Sequence, residues 1–148
     1  MVTLSSRLEE TIANAVSASE PAILAKYNFN LAKALSKETE FLNEHQLILN
    51  CNNDKVKREL GECISYNKYL PLTRYPFFRI KKNFNLWHSV NQNTKIEPAR
   101  TSTPYLLTIH DVNFLEERKG KDLDLRINQL KSKIERSDAI VYVSEFAK

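Results

Sequence analysis

An α/β fold, a Rossmann-like parallel sheet flanked by helices, is what this sequence predicts, and three observations carry that expectation. Short apolar runs alternate with helical stripes along most of the 148 residues, the pattern of strands joined by crossover helices. One run, Ala139–Val143 (AIVYV), is continuously apolar and rich in β-branched residues, as suits a central parallel strand buried on both faces. Just before it, Leu123, Ile127, Leu130 and Ile134 line one face of a helix expected over Lys121–Arg136.

The other elements follow in chain order. Leu4, Leu8, Ile12 and Val16 recur every fourth residue, so residues 1–20 are expected to be an atypical helical segment. Ser17–Pro21 interrupts it; Ser19 or Glu20 would cap a second helix, with Pro21 in a first turn that needs no N–H there. Ile23, Tyr27, Leu31 and Leu35 form that helix's apolar face, and Lys26, Lys33 and Lys37 face water. A strand is expected over His45–Cys51, a short helix over Asp54–Leu60 ended by Gly61, and a strand over Cys63–Tyr66. Residues 68–85 are aromatic, basic and broken by Pro71 and Pro76, which predicts a loop with one short helix. Strands over Leu86–Val90 and Tyr105–Ile109 flank a polar loop, and Ser144 stands as N-cap of a helix the chain barely begins. The whole chain, 1–148, is expected to be one domain.

Composition narrows the function classes. Two glycines are too few for a glycine-rich phosphate loop. A net charge of +4 and a pI near 9.0 fit an acidic small molecule, a phospholipid surface or nucleic acid. No block of five or six like charges marks a nucleic-acid tail. Cys51 and Cys63 lack C-x-x-C spacing and are expected as free thiols in a reducing compartment. Glu9, Glu10 and the Ser5-Ser6 pair break up any secretory core near the N-terminus. No run of eighteen apolar residues occurs, and a cytoplasmic location is the expectation.

In open parallel sheets, ligands bind outside the carboxyl ends of the strands. His88 with Ser89, His110 with Asp111, and Ser144 with Glu145 fall at three such ends. Each has a plainer reading beside the functional one. Asp111 or Asn113 could cap the next helix, Asn113 and Glu116 having capping-box spacing. His88, beside Trp87, could serve packing, and Ser144 could be a cap alone. Asp122 and Asp124 do not make a metal pair, because residues two apart on a helix do not face each other. The three histidines, at 45, 88 and 110, lack zinc-site spacing, and no G-x-S-x-G elbow supports a Ser-His-Asp triad. The aromatic-basic stretch 67–82 could stack on bases or lie on lipid headgroups, or its rings could pack on their own domain.

The segments NLWHSVNQ, PYLLTIHDVNFLEE and RSDAIVYVSEFAK, in this order and separated by an amphipathic helix, resemble the N-terminal domain of family 4 glycosyltransferases, retaining enzymes of GT-B fold. KYNFNLAKAL is similar to that family's first helix, and the likeness covers most of residues 26–148. It implies an acceptor-side domain facing a C-terminal domain that holds the nucleotide-sugar, with transfer to a glycan or lipid-linked acceptor in surface polysaccharide biosynthesis. No metal or other cofactor is implied. By resemblance, His110 contacts the transferred sugar and supports the reacting centre. His88, Asn91 and Gln92 fall where acceptor loops occur, and Asp111, Ser144 and Glu145 at neighbouring strand ends. Peripheral contact with the inner face of a membrane is compatible with the basic charge, and nucleic acid is a less favoured partner. Two departures stand out: residues 1–25 offer no strand followed by a Gly-rich turn, and the Glu-x7-Glu signature of the nucleotide-sugar domain is missing. The chain is therefore expected to be truncated and inactive alone. The alternative is a non-catalytic Rossmann-like module binding nucleic acid or a protein.

Overall fold

Runs such as Leu47-Ile48-Leu49 lie in the interior, each side chain 0% exposed, and burying one is worth about 1.5–3 kcal/mol. In the computed structural model, which describes residues 10–15 and 22–147, these runs pair into one sheet. Its strands are β1 (Glu10–Ala15), β2 (His45–Asn50), β3 (Ser65–Asn67), β4 (Leu86–Ser89), β5 (Tyr105–Ile109) and β6 (Ala139–Tyr142). The order is β3-β2-β1-β4-β5-β6, and every pairing is parallel. This is the strand order of a Rossmann-type doubly wound sheet, which reverses its direction of growth between β1 and β4.

Helices cover the two faces unequally. α1 (Ala22–Leu35) links β1 to β2 through a short α2 (Thr39–Glu44), and α3 (Asp54–Leu60) links β2 to β3. Ala32 of α1 and Leu60 of α3 pack with Leu47, Leu49, Cys51 and Ile64 in one core. Asn53 caps α3, its Oδ1 accepting from the N–H groups of Lys55 (2.9 Å) and Val56 (3.4 Å). Gly61, with φ of 77°, ends that helix as expected, since the left-handed region is where a residue without Cβ is favoured. On the other face Ile48, Trp87, Tyr105, Leu107 and Ile109 pack with Tyr69 and Phe84. Those last two belong to the β3–β4 crossover, which passes over the sheet as two 3-10 turns, Pro71–Arg74 and Pro76–Phe78, instead of one short helix. α4 (Phe114–Glu117) and α5 (Gly120–Arg136) join β5 to β6, with Leu130 of α5 and Ile140 of β6 against the same core.

Two expectations are corrected. Residues 10–15 are a strand, where a helix was read over 1–20; the remainder of that segment, and the proposed caps Ser19 and Glu20, lie outside the described residues. β1 pairs along its length with β2 and also with β4, Ala13 opposing both Ile48 and Trp87. Two apolar strands with facing edges require a third between them, and that demand overrides a four-residue spacing. The second correction concerns β6. It is an edge strand with one neighbour, β5, and Val141, Tyr142 and Val143 are 37–45% exposed, so the run is not buried on both faces.

At the amino ends of β5 and β6 a charge cluster ties loop 90–104 to α5. The Glu97 carboxylate receives Arg136 at 2.6 Å, Arg79 at 3.2 Å and Lys133 at 3.5 Å. The Arg136 guanidinium lies 4.5 Å from the Tyr105 ring centroid. Burial lowers the pKa of Lys133, and the Glu97 carboxylate opposes that shift. One anion thus serves three half-buried cations. Glu97→Gln is expected to cost about 3 kcal/mol of stability, because removing one partner of a buried pair strands the others. Urea unfolding at neutral pH measures it; a loss below about 0.5 kcal/mol would mean a surface-type pair instead.

Candidate functional site

The carboxyl ends of all six strands share one rim because the sheet is wholly parallel. There the chain leaves β4 through Val90, Asn91 and Gln92 and leaves β5 through His110 and Asp111. Val90, Asn91 and Gln92 are all buried. Asn91 organises the turn after β4: its backbone carbonyl accepts from the Ser89 hydroxyl (3.1 Å), and its Oδ1 accepts from the Asn93 N–H (2.7 Å). Gln92 reaches across to the end of β5. Its Oε1 accepts from the His110 N–H at 3.2 Å, and its Nε2 donates to the Asp111 carbonyl at 2.8 Å. One side chain therefore brackets the backbone of the His-Asp pair.

His110 is half-buried and held from two sides. Its Nε2 lies 2.8 Å from the Val90 carbonyl. A carbonyl can only accept, so Nε2 carries the hydrogen and the neutral ring keeps its lone pair on Nδ1. Tyr27 of α1 meets the imidazole edge-on, centroids 4.7 Å apart and planes at 89°. Asp111 is also half-buried, and its Oδ1 accepts from the Asn113 N–H at 3.3 Å. It thus braces the turn into α4; Asn113, in the N-cap position, makes no side-chain cap bond. With the ring neutral, Nδ1 and the neighbouring Asp111 carboxylate are both hydrogen-bond acceptors. Such a pair suits hydroxyl donors and repels phosphate oxygens.

His88 sits one residue inside the strand end, opposite Leu106 of β5. Its Nε2 is 2.8 Å from the Thr108 hydroxyl. It is 8% exposed, and burial away from water lowers its pKa to about 4. It stands behind the rim and supports it. Ser144 and Glu145 follow β6 and are exposed. They share the rim, because β6 pairs with β5 through Ile109 and Tyr142, and the Val143 N–H donates to Ile109 at 3.1 Å. The structure thus gathers His110, Asp111, Asn91 and Gln92 around one turn, keeps His88 beneath them, and leaves Ser144 and Glu145 one strand away.

Tyr27 was not anticipated as a site residue. Tyr27 was assigned to the apolar stripe of α1, and only the packing of α1 brings it to His110. Asp122, set aside as a metal ligand, pairs with Arg118 one turn earlier. Among the described residues no cluster of three or more His, Cys, Asp or Glu could hold a metal ion, and no helix is long and apolar enough to cross a membrane. A polar groove lined by Glu44, His45, Gln46, Glu62, Cys63 and Ser65 lies at the other end of β2 and β3, away from His110. Comparisons with protein-family models, curated protein sequences and solved structures give no match.

The depressed pKa of His88 sets a pH dependence. The folded state holds this ring neutral, while the unfolded ring takes a proton below about 6.5. Stability from this group is complete above that value and falls as pH drops toward about 4. The full loss is about 3 kcal/mol. Urea titrations of the wild type and His88→Gln between neutral and acidic pH isolate it. The wild type should show the steeper decline, and parallel curves would assign the decline to carboxylates.

Proposed function

We propose that this chain is the acceptor-side domain of a glycosyltransferase that moves a sugar from a nucleotide-sugar donor to a glycan or lipid-linked acceptor. The observation that carries the reading is the rim at the sheet's carboxyl ends, where His110 is fixed by the Val90 carbonyl and Tyr27 and stands beside Asp111. Its hydrogen-bond acceptors match sugar hydroxyls. The strand β1, at the position where the GT-B N-terminal domain begins with one, also supports the reading. So does the 3-2-1-4-5-6 order, which sets this rim beside the switch point of the sheet.

Within this proposal His110 meets the transferred sugar, through Nδ1, and Asp111 orders a neighbouring hydroxyl of the acceptor. Asn91 and Gln92 hold the turn that presents them, and His88 keeps β4 and β5 aligned through Thr108. Ser144 and Glu145 would extend the same wall. Retaining transfer needs donor and acceptor in near-attack geometry, worth about 7–11 kcal/mol. One wall of a cleft does not supply that, so the purified chain is expected to bind acceptor and turn over no donor. The site would work at the cytoplasmic face of a membrane in surface polysaccharide biosynthesis, without a metal.

A glycan and glycolipid array probed with the purified chain tests this. Binding of a defined saccharide is expected, weakened at least about tenfold by Asp111→Ala, the order of magnitude for one lost hydrogen bond to a charged group. Radiolabelled nucleotide-sugars should give no product. Absence of saccharide binding, or binding indifferent to Asp111→Ala, would refute the reading. Robust transfer by the chain alone would refute its restriction to the acceptor side.

A further inference from the structure

The β3–β4 crossover buries Tyr69 and Phe84 at its two feet but not the apolar residues between them. Phe77 is 84% exposed, and Leu70, Leu72, Tyr75 and Phe78 are 48–61% exposed. Five large apolar side chains within nine residues therefore face solvent on one crossover, a concentration of exposed apolar surface that a folded chain rarely leaves without purpose.

The tip is braced against folding back. Each of its 3-10 turns opens on a proline, Pro71 and Pro76. The Thr73 hydroxyl donates to the Leu70 carbonyl at 2.6 Å, and the Arg74 Nε donates to the Tyr69 hydroxyl at 2.7 Å. Both feet are anchored. Asn52 exchanges two 2.7 Å hydrogen bonds with the backbone of buried Tyr69. On the other side the Ala99 N–H donates to the Ile80 carbonyl at 2.8 Å, and Arg79 reaches Glu97.

Charge identifies the occupant. From Cys63 to Ile96 the chain contains no Asp or Glu, while Lys68, Arg74, Arg79, Lys81, Lys82 and Lys95 all fall in that interval. Arg74 within Leu70–Phe78 and Lys68, Lys81 and Lys82 beside it are exposed. We propose that the tip Leu70–Phe78 is a wedge that inserts into an anionic phospholipid surface, with these cations on the headgroups. Apolar residues ringed by Lys and Arg are the pattern of interfacial binding. Single-stranded nucleic acid fits less well: a stacking platform needs open ring faces, whereas Phe77 and Phe78 pack on each other at 5.4 Å and 80°, and leucines do not stack. The proposal accords with the membrane-face location in the glycosyltransferase reading, yet rests on these exposed residues alone and is tested without sugar chemistry.

Flotation of the chain with vesicles of phosphatidylcholine, alone or mixed with phosphatidylglycerol, is the experiment. Strong binding to the anionic vesicles and weak binding to the neutral ones are expected. Phe77→Ser combined with Phe78→Ser should reduce binding at least about tenfold, from the lost apolar insertion. Lys81→Gln with Lys82→Gln should reduce it roughly fivefold per lysine at low salt, and little at high salt. Melting curves confirm that these surface variants stay folded. Phe77→Trp adds an independent readout, because native Trp87 is 0% exposed: the new indole should shift to shorter wavelength and be quenched by brominated lipid. The proposal fails if anionic vesicles are not bound, if the double phenylalanine variant binds as the wild type does, or if the new indole is not quenched. It also fails if a single-stranded oligonucleotide binds the tip in preference to the vesicles.

Discussion

The parallel pairing of β4 with β5 is the constraint on which the rest depends. Trp87 opposes Tyr105, His88 opposes Leu106 and Ser89 opposes Leu107. That register brings the Val90 carbonyl within reach of the His110 ring and lets Gln92 clasp the backbone of residues 110 and 111. A slip of one residue would send Trp87 and Tyr105 to opposite faces. It would also separate His88 from Thr108. Core and rim are therefore specified by the same alignment, and the core enforces it, since Trp87, Tyr105 and Leu107 are all buried together.

The two ends of the sheet carry different electrostatics. The carboxyl rim is a network of neutral amides, a hydroxyl and an imidazole, with the Asp111 carboxylate next in sequence to His110. The amino end holds the Glu97 cluster, where three cations converge on one carboxylate. This second feature is structural in effect. It pins the long loop between β4 and β5 to the last turn of α5, and the turn formed by Asn91 and Gln92 is the start of that loop. Through Arg79 the same carboxylate also fixes one foot of the apolar tip. One anion thus steadies both a candidate sugar site and a candidate lipid-facing wedge, although neither touches it.

Much of the sheet was legible along the chain, because β2, β4 and β5 are apolar runs bounded by polar turns, and α5 keeps its stripe. β1 was not, because Thr11-Ile12-Ala13-Asn14 is short and weakly apolar, and its spacing from Leu4, Leu8 and Val16 imitates a helix. Its identity comes from the edges of β2 and β4 that it joins. β6 was legible as a strand and misjudged in depth: AIVYV has the composition of an interior strand, yet depth depends on what lies beyond it. Of the two residues that could cap α4, Asp111 braces the turn and Asn113 makes no cap bond, a choice between two nearby acceptors that spacing does not settle.

By itself the chain determined the alternation of elements, the polar residues at strand ends and the acid-free aromatic segment, because these depend on local chemistry and periodicity. Only the tertiary structure decided the order of the strands, the tautomer of His110, the company of Tyr27 and the burial of His88. Those follow from which segments lie side by side, and residues as far apart as 27, 90 and 110 meet only once the sheet has chosen its register.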